Sequence, residues 1–198
     1  MHRSFLNFLW LVIFSSVLIA ETPKSKSDFV LKSSVMTEGG SIPREFTGDG
    51  AGISPPLEWK GAPAGTKSFV VMMHHFPHEG DPARWYWILY NIPNTVTSLA
   101  KATKGVGVNG SNCVGPELAY APPHSKGPGV KKYTITVYAL SSQPKLTVTG
   151  KQIDREAMLA AIKDITLGQA ELNFTYDRTD VVSAEKGGEA SSAKGSRR

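Results

Sequence analysis

Two stretches decide how this chain folds: Ser68-Phe69-Val70-Val71-Met72-Met73-His74-His75-Phe76, then Trp85-Tyr86-Trp87-Ile88-Leu89-Tyr90-Asn91-Ile92. Both have strand length and are rich in β-branched and aromatic side chains. Turn formers separate them at Pro77, Gly80 and Pro82. Neither alternates polar with apolar residues. A strand with one wet face alternates, whereas a strand covered on both faces reads as a continuous apolar run. Both are therefore expected in the middle of a sheet, inside a sandwich or beneath helices.

Around them the pattern stays mostly β. In residues 132–140, Tyr133, Ile135, Val137 and Ala139 alternate with Thr134, Thr136 and Tyr138, which predicts a half-buried strand. Residues 171–176 alternate Leu172, Phe174 and Tyr176 and predict the last strand, and residues 29–35 predict the first. Residues 38–56 are turn-rich, with Gly39-Gly40, Asp49-Gly50 and Ser54-Pro55-Pro56. One helix follows from Asp154 as cap, Glu156 in the first turn, and Met158, Ala161, Ile162 and Ile165 on one face. Its apolar stripe is expected to cover one edge of the sheet. A second helical stretch is expected near residues 98–103. The fold class is mostly β, a sandwich core with one or two peripheral helices.

Composition bounds the function. The chain has 198 residues, 40% of them hydrophobic, enough for one domain with a real core. Nineteen Gly and 13 Pro suit turns between short strands. The single Cys113 excludes an internal disulfide and a zinc site of several thiolates. The net charge of +5 comes from scattered Lys and Arg, so no basic stripe marks a nucleic-acid partner.

The N-terminus reads as an address. Met1-His2-Arg3 precedes an apolar run over residues 5–19, then Ala20 and the polar Glu21-Thr22-Pro23-Lys24. A positive start, a short apolar run and a small residue make a secretory signal peptide. The run falls short of the ~20 apolar residues that span a bilayer. The expected organisation is a signal peptide over 1–20, a linker over 21–28, one domain over 29–177 and a disordered tail over 178–198. Export places the domain in the periplasm or outside the cell. The alternative is a membrane anchor formed by an uncleaved signal.

No catalytic constellation stands out: the sequence holds no G-x-S-x-G, H-E-x-x-H or G-x-x-x-x-G-K pattern. No enzyme activity and no cofactor are expected. His74, His75 and His78, with Glu79 and Asp81, are metal-ligand types in a short span. Strand parity sends His74 and His75 to opposite faces, so one pocket histidine is expected rather than a metal centre. Cys113, between Asn112 and Val114, has no adjacent base and reads as a small loop residue.

Three segments together resemble the phosphatidylethanolamine-binding protein family, in its bacterial Raf-kinase-inhibitor-like branch. The first is Gly48-Asp49-Gly50 leading into Ile53-Ser54-Pro55-Pro56-Leu57-Glu58-Trp59 and Gly61-Ala62-Pro63-Ala64-Gly65-Thr66-Lys67-Ser68-Phe69. The second runs from Trp85 to Pro93, and the third is Pro122-Pro123 followed by the strand at Tyr133. The resemblance implies a β-sandwich-like core and a small strand-end pocket for phosphate-like anions, phosphatidylethanolamine headgroups included. It also implies binding or inhibitory roles rather than a shared reaction.

This sequence departs from the family at that pocket. Where relatives carry Asp-Pro-Asp-x-Pro, it has His75-Phe76-Pro77-His78-Glu79, and Tyr86 and Lys131 stand where relatives carry histidines. Tyr120 lies in Ala119-Tyr120-Ala121, where relatives have Gly-Pro before the double proline; Tyr133 is kept. The expected ligand-binding set is His75, Tyr86, Tyr120, Lys131 and Tyr133. These groups keep hydrogen-bond donors, lose the acid and gain a fixed positive charge. Two readings follow. One is a small anion or phosphoethanolamine-type headgroup held in the pocket, with peripheral membrane contact. The other is a degenerate pocket filled by Tyr86 and Tyr120, in a module that meets a protein partner such as a protease.

Overall fold

The computed structural model describes residues 28–124 and 129–178. The expected signal peptide and nearly all of the linker and tail lie outside the described residues. Among the described residues, no helix is long and apolar enough to cross a membrane.

Two antiparallel sheets face each other. The larger runs in the order β6 (Val108–Asn109), β4 (Arg84–Pro93), β3 (Ser68–His75), β7 (Lys131–Leu140) and β8 (Thr166–Tyr176). The smaller runs in the order β1 (Val30–Lys32), β2 (Leu57–Lys60) and β5 (Ser98–Leu99). The two continuous apolar runs are thus neighbours, with β3 central and buried on both faces. One face supplies the inter-sheet core: Phe69, Val71 and Met73 of β3, Trp87 and Leu89 of β4, and Ile135 and Val137 of β7. Leu31, Leu57, Trp59 and Leu99 close it from the small sheet, with Trp59 edge-on to Phe69 at 5.3 Å between ring centroids. Each such side chain contributes about 1.5–3 kcal/mol by leaving water.

The opposite face of the large sheet meets α1 (Arg155–Ile162). Met158 and Ile162 pack on Val70, Met72, Ile88 and Leu140. Asp154 caps α1, its Oδ1 accepting from the Ala157 N–H at 2.8 Å. The helix therefore covers a face of the sheet rather than the expected edge. That burial explains why the outer side of β7 is not simply wet: Thr136 is buried and Tyr138 packs against the same cluster.

The expected helix over 98–103 does not form. Leu99 is buried and pairs opposite Leu57, so tertiary burial draws the segment into β5. Ala102 then turns the chain at φ 53°. β2, β5 and β6 are two to four residues long, too short for periodicity to reveal. Two register shifts interrupt the β3–β4 pairing, between Phe69/Val71 and between Met73/His74. The first accommodates Asn91 at φ 55°. The second builds the site.

Candidate functional site

Antiparallel register places Arg84 opposite His75, His75 opposite Tyr133, and Tyr133 opposite Phe174. Residues in one such row share a face of the sheet. The rings stack along it: His75 on Tyr133 at 4.9 Å and 29°, Tyr133 on Phe174 at 5.4 Å and 11°. His74, one residue earlier, lies on the other face and meets the Phe76 ring edge-on at 5.1 Å.

Tyr86 joins the row through the second bulge. Met73 pairs with Trp87 and His74 with Trp85, which leaves Tyr86 as the extra residue. Both Tyr86 and Trp87 consequently face the sandwich interior. Tyr86 sits edge-on to Tyr133 at 5.2 Å.

A cavity of about 590 Å³ opens over this row. His75, Arg84, Tyr86, Lys131 and Tyr133 line it from the sheet; Pro77, His78, Cys113, Val114, Pro122 and His124 line it from loops. Four of the five expected ligand residues therefore come together. Tyr120 does not line the cavity. Its hydroxyl donates to the Phe46 carbonyl at 2.7 Å and its ring lies edge-on to Trp87 at 5.6 Å, so it packs the core behind the site. Neither tyrosine fills the hollow. Arg84 and His124 carried no signal in the sequence, and Cys113 read as an ordinary loop residue. Arg84 becomes visible only once the register opposite His75 is known.

The His75 Nδ1–H donates to the Lys132 carbonyl at 2.8 Å, which leaves Nε2 as the nitrogen open to a guest. Burial lowers the His75 pKa most. The bond to Lys132 opposes this, and the charges of Lys131, Arg84 and His78 lower it further. His75 is thus a neutral acceptor at Nε2, not the N–H donor its residue type suggested. Tyr133 Oη is buried, and among the described residues its polar neighbour is the Tyr86 hydroxyl. Burial first, then the neighbouring Tyr86, pushes its phenol well above the ordinary range. Burial likewise raises Tyr86. Both phenols remain O–H donors. The neighbouring Cys113 sulfur raises the Arg84 guanidinium pKa above its ordinary value.

Behind His124 stands the carboxylate of Asp49. Asp49 Oδ1 accepts from Arg178 Nε at 3.1 Å and lies 3.2 Å from His124 Nε2, and the Tyr176 hydroxyl donates to Oδ2. Burial alone would raise the Asp49 pKa; the bonds from Tyr176 and Arg178 and the nearby positive charge overcome it and hold it low. The flanking glycines let this loop approach: a Cβ at Gly48 would lie 2.5 Å from His124 Cβ, and one at Gly50 2.0 Å from the Arg44 carbonyl. Among the described residues, no group of three or more His, Cys, Asp or Glu is arranged to hold a metal ion.

The sequence profile described as "Phosphatidylethanolamine-binding protein" matches residues 32–177. The chain belongs to the phosphatidylethanolamine-binding protein family. A UPF0098 protein of Chlamydia trachomatis is 30% identical over 154 residues, spanning 75% of this chain and 98% of that relative. One from Methanothermobacter thermautotrophicus is 32% identical with the same coverage. Among solved structures, a putative phosphatidylethanolamine-binding protein homologue of Chlamydia trachomatis superposes with a TM-score of 0.68 at 28% identity, covering 76% of this chain and 98% of that one. YbcL of E. coli, described as a new member of the mammalian family, gives 0.66 at 26%, covering 76% and 98%. The mostly β sandwich is thus the fold of this family, and the chain is a binding protein of its type.

Proposed function

We propose that the strand-end cavity holds a small anionic group, and that the protein is an exported anion- or headgroup-binding protein rather than an enzyme. The observation that carries this reading is the lining itself. Arg84 and Lys131 bring fixed positive charge, Tyr86 and Tyr133 bring hydroxyl donors, and no carboxylate is present among the described lining residues. The buried Tyr133 hydroxyl has the Tyr86 phenol as its neighbour, and a guest oxygen in the cavity would give it a second partner. At ~5 Å and an effective dielectric of about 20, each cation attracts a unit negative charge by roughly 3 kcal/mol before desolvation. Neutral His75 adds an acceptor for a protonated phosphate oxygen, which suits monohydrogen phosphate. The apolar N-terminal segment supports export.

Calorimetric titration of inorganic phosphate into wild type and Lys131→Ala tests the reading. A saturable one-to-one heat with Kd between about 1 μM and 1 mM is expected for wild type, weakened at least tenfold in the variant. No heat in wild type would remove the proposal.

A further inference from the structure

We propose that this cavity selects a phosphomonoester and discriminates against the zwitterionic phosphoethanolamine headgroup. The inference rests on the anion-binding reading and narrows it to a ligand class. Its basis is what the wall lacks. An ammonium group needs a carboxylate, or several free carbonyl oxygens, to replace its hydration. The described lining residues supply no carboxylate, and the two fixed charges, Arg84 and Lys131, are both positive.

The acids nearest in sequence do not alter this. Glu79 and Asp81 follow His78 but do not line the cavity. Asp49 touches the wall residue His124, and its oxygens are taken by Tyr176, Arg178 and His124. The Lys132 carbonyl already accepts from His75. An ammonium entering with a phosphate would therefore meet the fixed positive charges of Arg84 and Lys131. A hydroxyl or methyl in its place meets no such repulsion and can rest on Pro77, Val114 or Pro122. The phosphate is served by both phenols and both cations.

The test compares matched esters. Ethyl phosphate and 2-aminoethyl phosphate, which differ by the ammonium, are titrated into wild-type protein by calorimetry at pH 8. Ethyl phosphate is expected to bind more than fivefold tighter. A ratio below fivefold, or a preference for the amine, overturns the inference and leaves the anion-binding reading standing. Binding of neither ester removes both. His78→Glu places an acid at an exposed position on the cavity wall and is expected to shrink the ratio toward one; an undiminished ratio also counts against the inference. Flotation with phosphatidylcholine vesicles carrying phosphatidate or phosphatidylethanolamine identifies the source of the ester. Retention on phosphatidate vesicles alone assigns a lipid headgroup, and retention on neither assigns a soluble ester. Preference for phosphatidylethanolamine overturns the inference.

Discussion

His74 and His75 are consecutive residues of one strand, and they live in different chemistry. His74 points to the helix-covered side, edge-on to Phe76 and within the field of Arg155; burial first, then those charges, takes its pKa down to about 4. His75 points into the sandwich end, stacks on Tyr133 and keeps Nε2 toward a cavity. Both pKa values are lowered, and burial leads in both cases. What separates packing from site is therefore neither residue type nor desolvation. It is the company. On the helix side, polar groups are few and ring faces close over them. On the cavity side, two phenols and two fixed cations line one hollow.

The comparison can be sharpened by substitutions on each side. Met158→Ala removes a fully buried side chain from the helix-covered face and is expected to cost about 2–5 kcal/mol in urea unfolding, with phosphate affinity unchanged in the folded fraction. A loss of affinity as large as the loss of stability would break the separation. His74 supplies the next effect. Its pKa is lowered from 6.5 to about 4 in the folded state, so the unfolded chain takes up the proton first. Stability is full above pH 6.5 and falls as pH drops from there toward 4. His74→Gln is expected to flatten that slope in urea midpoints measured across the range; an identical slope would contradict the assignment. The residual slope belongs to His75, lowered in the same direction.

Arg84→Ala touches the cavity side only. It is expected to weaken phosphate binding at least tenfold, about 1.4 kcal/mol, while the urea midpoint stays close to wild type because Arg84 is exposed. Equal affinity in calorimetry would show that the row opposite His75 does not reach the guest. Tyr120→Phe is the smallest change. It deletes the hydrogen bond to the Phe46 carbonyl and is expected to cost about 1 kcal/mol of stability. Phosphate affinity should not move; a clear loss would return Tyr120 to the site.

How far the sequence reached depends on range. The central strands were legible because continuous apolar runs need cover on both faces, and α1 because Asp154 sits where a cap must. Parity alone separated His74 from His75. What stayed hidden was decided by partners far along the chain. β5 exists because Leu99 finds the inter-sheet core. Tyr120 looked like a pocket residue beside Pro122-Pro123, yet its hydroxyl answers a carbonyl 74 residues away. Arg84 and Cys113 meet through the turn of the chain between β4 and the loop after β6, which no local pattern encodes. Tyr86 could be named from the resemblance, but its inward direction comes from a bulge that shifts the register.

Cys113 gives the most direct test of whether the guest sits in this cavity, because it is the chain's single cysteine and lies in the wall beside Arg84. Its alkylation by iodoacetamide is followed at constant ionic strength while phosphate is raised to about 10 mM, ten times the weakest affinity expected. A rate that falls saturably in wild type, with its phosphate midpoint shifted at least tenfold upward in Arg84→Ala, is the predicted result. A rate that phosphate leaves unchanged in wild type would contradict the account.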